Sequence, residues 1–282
     1  MNVIHSSLLT TGDLAPAAVP PLALLGGIGM ILVALGFAAY AGLRQLGWGA
    51  LGLGALAWGV TVALKFAWAI PFNPPIYTAI NQALPSLGVP LFALYVGALT
   101  GIFEVGLVAL LLNYTRLGKA AWPRTIAFGI GFGAIEALLL GVSSLSSMLV
   151  AMVISMALPP APSEVLARLD NILWVLAPVV ERLAAIFIHI CSTVLIFYAV
   201  NTRQVRYLWL AFGYKTAIDA VAAAFVQING VDSLGRVWTF ETILILFGVA
   251  SWLGLRSLAP RYQALPIEEP TAREPRLAHG AG

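Results

Sequence analysis

Nine ionisable side chains stand inside stretches of sequence that are otherwise apolar: Lys65, Glu104, Glu136, Glu181, Arg182, His189, Lys215, Asp219 and Glu241. Carboxylates and an imidazole are the groups that move protons, activate water or ligate a metal. A charge at the centre of a helix in lipid costs roughly 2.5–3.5 kcal/mol on insertion scales, so nine such groups are expected to face inward and pair. Lys215 and Asp219 are four residues apart and share one helical face. Counted along the chain, Glu104, Glu136, His189, Lys215 and Asp219 fall 8 to 12 residues from the basic ends of four apolar stretches. At a uniform rise per residue they predict one polar layer, the natural place for a site. Lys65, Glu181, Arg182 and Glu241 count from the opposite ends and predict a second, outer cluster that fixes helix register. His189 taken alone reads more simply as a satisfied bundle residue.

The elements that position these groups must be membrane helices. Of 282 residues, 60% are hydrophobic and 10% are charged, with a mean hydropathy of +0.93. A soluble domain carries about 25% charged residues, so this chain cannot cover a water-facing surface. One helix crosses a bilayer core with about 20 apolar residues, and an open sheet in lipid would leave edge groups unpaired. An all-α bundle of about seven spans is predicted, near 19–43, 47–70, 87–113, 125–157, 172–201, 207–229 and 237–258. The fourth is long enough to be tilted, broken near Gly141–Ser147 or extended along a membrane surface. The Pro/Asn-rich stretch 71–90 predicts an ordered loop with short helical turns. Residues 1–18 hold no Lys or Arg, which speaks against a cleaved signal peptide, so the first span is expected to be retained. Residues 1–18 form an N-terminal segment, 19–258 the transmembrane domain, and 259–282, with four prolines among charges, a disordered tail.

Orientation follows from basic residues in the loops. Arg44, Arg116, Lys119, Arg124, Arg203, Arg206, Arg256, Arg261, Arg273 and Arg276 fall on one side, and only Arg168 and Arg236 on the other. This places the N-terminus outside and the C-terminus in the cytoplasm, in a multi-pass protein whose first partner is the lipid bilayer. The single Cys191 excludes an internal disulfide, and no Cys/His spacing forms a zinc finger. Basic residues sit singly or in small groups between apolar runs, so nucleic acid is not an expected partner, and no phosphate-binding glycine loop is present. Trp48, Trp58, Trp68, Trp122, Trp174, Trp209, Trp238 and Trp252 mostly fall near span ends, as interfacial anchors do.

The inner residues carry a resemblance. Gly-Ile-Phe-Glu104, Gly131-Phe-Gly-Ala-Ile-Glu136, Glu181-Arg182-Leu-Ala-Ala-Ile-Phe-Ile-His189 and Lys215-Thr-Ala-Ile-Asp219 resemble, in order, the motifs of the YhfC family. That family lies within the superfamily of CAAX-processing and bacteriocin-processing intramembrane proteases. The resemblance covers about residues 90–260 and implies a helical membrane core in a bacterial cytoplasmic membrane. It also implies a site in which a glutamate and a histidine activate water while a later His and Asn/Asp help bind the oxyanion or a metal. Glu104, Glu136, His189 and Asp219 are the residues that would carry it.

The departures from the pattern are specific. The family's Glu-Glu pair followed by an Arg is Glu104-Val105 here, with Val108 and Ala109 where the Arg would fall. Its Phe-x-x-x-His is Phe128 to Phe132, and its His-x-x-x-Asn/Asp begins with Lys215. Phenylalanine neither accepts a proton nor binds a metal, and a lysine ammonium repels a divalent cation. The expectation is a degenerate relative whose carboxylates are neutralised by Lys215, with Phe132, Glu181 and Arg182 lining a binding cavity. It would need no cofactor and would hold a hydrophobic peptide, a lipid or another membrane protein. Two alternatives stand beside it. One is an active endopeptidase with a rearranged Glu/His site, the only case in which zinc enters. The other is a transporter subunit whose carboxylate–lysine layer relays protons or binds a solute.

Overall fold

The computed structural model describes residues 19–157 and 168–267, and within them every regular element is a helix. A 3₁₀ turn (Pro21–Ala23) leads into α1 (Leu24–Leu43), followed by α2 (Trp48–Ala83) and α3 (Gly88–Thr100). A π-helical turn (Gly101–Gly106) joins α3 to α4 (Leu107–Tyr114). Then come a 3₁₀ turn (Arg116–Lys119), α5 (Trp122–Ala157), α6 (Ile172–Thr202), α7 (Val205–Asn229) and α8 (Leu234–Gln263). With α3, the π turn and α4 forming one rod, seven helical segments are long and apolar enough to cross a membrane. The fourth of them is one unbroken helix rather than two. Segment 1–18 and the tail beyond Ile267 lie outside the described residues; the first part of the expected tail belongs to α8, where Tyr262 is buried.

The stretch expected as a loop after the second span is instead helical as far as Ala83. Pro71, Pro74 and Pro75 remove three amide donors, but their fixed φ is compatible with a helix, so the turn continues at the cost of unbonded carbonyls. Aromatic contacts with α3 hold it. The rings of Tyr77 and Phe92 are 4.9 Å apart, Trp68 Nε1 donates to Tyr95 Oη at 2.9 Å, and Tyr95 Oη donates to Asn73 Oδ1 at 3.1 Å.

α6 is the axis of the bundle: 78% of its most apolar window is buried, and it packs against α1, α5, α7 and α8. The other helices build outward, with α1 and α2 on α5 and α3 on α7. Large apolar side chains such as Leu32, Leu56, Val153 and Leu246 point outward, as a lipid-facing surface requires. Small residues set the close contacts, because packing rather than hydrophobicity draws helices together in lipid. A Cβ on Gly27 of α1 would lie 2.7 Å from Leu145 N, and one on Gly129 of α5 would lie 2.8 Å from Ile190 Cα of α6. At the basic end of the bundle, Tyr262 Oη donates to Ala120 O at 2.8 Å and Asn201 Nδ2 donates to Gly118 O at 2.6 Å, tying α8 and α6 to the 3₁₀ turn that precedes α5.

Candidate functional site

Four helical segments deliver the central charges: the π turn Gly101–Gly106 carries Glu104, α5 Glu136, α6 His189 and α7 Lys215 with Asp219. The π turn is a local widening of the helix, which re-aims side chains and recurs at functional sites. Gly101 opens it because a Cβ there would meet Phe212 and Thr216 of α7 at 2.7 Å. Gly133 allows α5 to lie close to α6, where its Cβ would be 3.2 Å from His189 Cβ. Glu136 and His189 therefore face each other across a close approach of the two helices.

The side chains form one connected network. Glu104 Oε1 lies 2.5 Å from Lys65 Nζ and Glu104 Oε2 lies 2.9 Å from Lys215 Nζ. Lys215 Nζ lies 3.5 Å from His189 Nδ1, and His189 Nε2 lies 2.7 Å from Glu136 Oε2. Those contacts suit a tautomer in which Nε2–H donates to Glu136 and Nδ1 accepts from Lys215. Glu136 Oε2 also accepts from Trp58 Nε1 at 3.2 Å, while Glu136 Oε1 is paired with Arg182, which also pairs with Glu181. On the other side, Lys65 Nζ donates to Thr100 Oγ1 at 3.3 Å, and Thr100 donates to Asp219.

This joins what depth counting separates. Lys65 and Arg182, expected in an outer cluster, pair with Glu104 and Glu136 of the inner layer. Glu241 is buried in α8 and has no ion pair among the described residues. Phe132 does not line the cavity; its ring packs 5.3 Å from that of His189 and 6.3 Å from that of Phe128. Sequence reasoning missed Thr100 and misassigned Trp58. Thr100 precedes Glu104 by four positions, a spacing that could have flagged it. Trp58 turns its indole inward onto Glu136 rather than anchoring at an interface.

The network lines a cavity of about 460 Å³ whose polar floor is Lys65, Glu104, Glu136, Arg182, His189 and Asp219, flanked by apolar side chains including Phe66, Leu140 and Phe240. Chemically, the floor is a set of paired charges with one carboxylate in excess. Four carboxylates (Glu104, Glu136, Glu181 and Asp219) meet three cations (Lys65, Arg182 and Lys215), and the oxygens of Glu104 and Glu136 are engaged. Among the described residues no three His, Cys, Asp or Glu side chains converge as metal ligands. One imidazole is present, and an ammonium faces its Nδ1, so the donor set does not fit a catalytic divalent ion.

The family model described as YhfC intramembrane metalloprotease matches residues 29–244, about three-quarters of the chain. The match reaches further toward the N-terminus than the motifs from residue 90 onward. No curated protein and no solved structure matches.

Proposed function

The chain belongs to the YhfC intramembrane metalloprotease family, and we propose that it keeps the family's cavity as a binding site without the family's chemistry. In this reading it is a multi-pass protein of a bacterial cytoplasmic membrane, N-terminus outside and C-terminus inside, that holds an apolar peptide segment of a membrane partner. The observation that carries the reading is the Lys215–Glu104 ion pair, with Lys215 at the position where the motif resemblance implies a histidine. Ammonium groups facing both oxygens weaken Glu104 as a base for water, and Lys215 in its charged form offers no lone pair to a metal beside it. The cavity remains suited to binding. Its apolar flank of Val62, Phe66, Leu139 and Leu140 accepts side chains, and its charged floor meets backbone amides.

The test uses purified full-length protein and a fluorescein-labelled apolar helical peptide of about 20 residues in micelles. Anisotropy should show saturable binding that weakens in Leu140→Trp, which narrows the cavity, and mass spectrometry should find the peptide intact. Peptide fragments whose formation disappears in Glu104→Gln would establish instead an active endopeptidase that uses Glu104 as its base with His189 as a partner. Absence of saturable binding would reject the binding role.

A further inference from the structure

A second cavity lies on the far side of α6 from the ion-paired floor. It is a groove of about 680 Å³ between α1, α5, α6 and α8, lined by apolar residues that include Leu32, Phe37, Ile130 and Leu183. Gly36 widens it, since a Cβ built there would meet nothing within 4 Å. At one end the lining turns amphipathic, with Tyr40, Trp122, Trp252 and Arg256. From Leu43, where α1 ends, down to Leu32 is 11 residues. At 1.5 Å per residue that is about 16 Å, close to half of a hydrocarbon core about 30 Å thick. The groove thus runs from an interface to about the depth of one leaflet.

We propose that this groove binds an anionic glycerophospholipid, with an acyl chain along Phe37, Ile130 and Leu183 and the phosphate at Arg256. Arg256 is exposed and its guanidinium lies 4.8 Å over the Trp252 ring. Among the described residues no carboxylate pairs with it. Stacking on an indole holds a guanidinium in place while leaving its donor edge open, and that edge matches phosphate oxygens. The charge of the whole end agrees. Arg44, Arg116, Lys119, Arg124, Arg203, Arg206, Arg256 and Arg261 gather there by the alternation of the helices, and no described carboxylate does. A second copy of the chain is a poor occupant, because a two-fold contact through this groove would bring one basic end against another. A zwitterionic lipid fills the apolar part equally well but gains less at the phosphate end.

Native mass spectrometry of the delipidated full-length protein, titrated with dioleoyl phosphatidylglycerol or dioleoyl phosphatidylcholine, tests this. Phosphatidylglycerol should bind about fivefold more tightly or better, a preference of the size expected for one well-placed arginine. Arg256→Gln should abolish the preference, weakening phosphatidylglycerol more than phosphatidylcholine. Gly36→Leu, which fills the groove at an open position, should weaken both lipids. Lys119→Gln, which removes a charge at the same end outside the groove, should change neither. Equal binding of the two lipids by the unaltered protein would overturn the proposal. So would equal loss of preference in Lys119→Gln, which would mark diffuse charge. A dimer in place of lipid adducts, dissociated by Gly36→Leu, would assign the groove to a second copy.

Discussion

Lys215 Nζ sits 2.9 Å from Glu104 Oε2 on one side and 3.5 Å from His189 Nδ1 on the other, buried between the π turn, α6 and α7. One ammonium therefore links the carboxylate half of the network to the imidazole half. Its removal uncouples the two halves, leaving Glu104 with Lys65 and Glu136 with Arg182.

Glu104 neutralises two lysines, so its loss should be the most damaging single change at the site. Glu104→Gln leaves half-buried Lys65 without its carboxylate and buried Lys215 with only Asp219 nearby, and breaking a buried pair costs about 3–5 kcal/mol. Lys215→Met should cost less, because Lys65 still balances Glu104. The double variant should be more stable than the sum of the two predicts, as read by thermal unfolding in detergent with tryptophan fluorescence.

Glu136 is held by contacts of unequal strength, and their ranking can be checked. Arg182→Met removes its guanidinium partner and should destabilise by about 3 kcal/mol or more. Trp58→Phe deletes one neutral donor at 3.2 Å and should cost about 1 kcal/mol. Similar losses in unfolding midpoint for the two variants would mean that Arg182 is not the main support of Glu136.

Helix approach depends on particular glycines. Gly131 of α5 lies against the Leu51 carbonyl of α2, with no room for a Cβ, whereas Gly36 faces open space. Gly131→Ala should lower the unfolding midpoint by forcing α2 and α5 apart. Gly36→Ala should be neutral or raise it slightly, by up to about 1 kcal/mol from helix propensity.

The seven spans are legible in the sequence because apolar length and loop charge alternate together, and each expected span lies on its own helix, with only the second falling well short of the helix end. The continuation of α2 is not legible, since Pro71, Pro74 and Pro75 read as a break while the contacts that preserve the helix come from Phe92 and Tyr95 of α3. That error propagates to the site. With α2 ending near residue 70, Lys65 counts as lying close to an outer surface; with α2 running to Ala83 it reaches Glu104. The ionic layer itself is legible residue by residue, but its pairing is not, because lysine and arginine arms span several ångströms that counting along an axis ignores. The π turn leaves no periodic signature in so short a segment.

Returning histidines to the two departing positions tests what the scaffold retains. Phe132 stands one turn before Glu136 with its ring against His189, and Lys215 faces His189 Nδ1. The double substitution Phe132→His with Lys215→His removes the repelling ammonium and adds two imidazoles. It should acquire zinc binding detectable by isothermal titration, while Phe132→His alone, which keeps Lys215, should not.

The most direct measurement is the metal content of the unaltered protein, purified from zinc-supplemented cells and analysed by plasma mass spectrometry. With Lys215 paired to Glu104, zinc should be far below one ion per chain and unchanged in Glu104→Gln and His189→Ala. One zinc per chain, lost in both variants, would contradict an ion pair at that position and return the chain to the active members of its family.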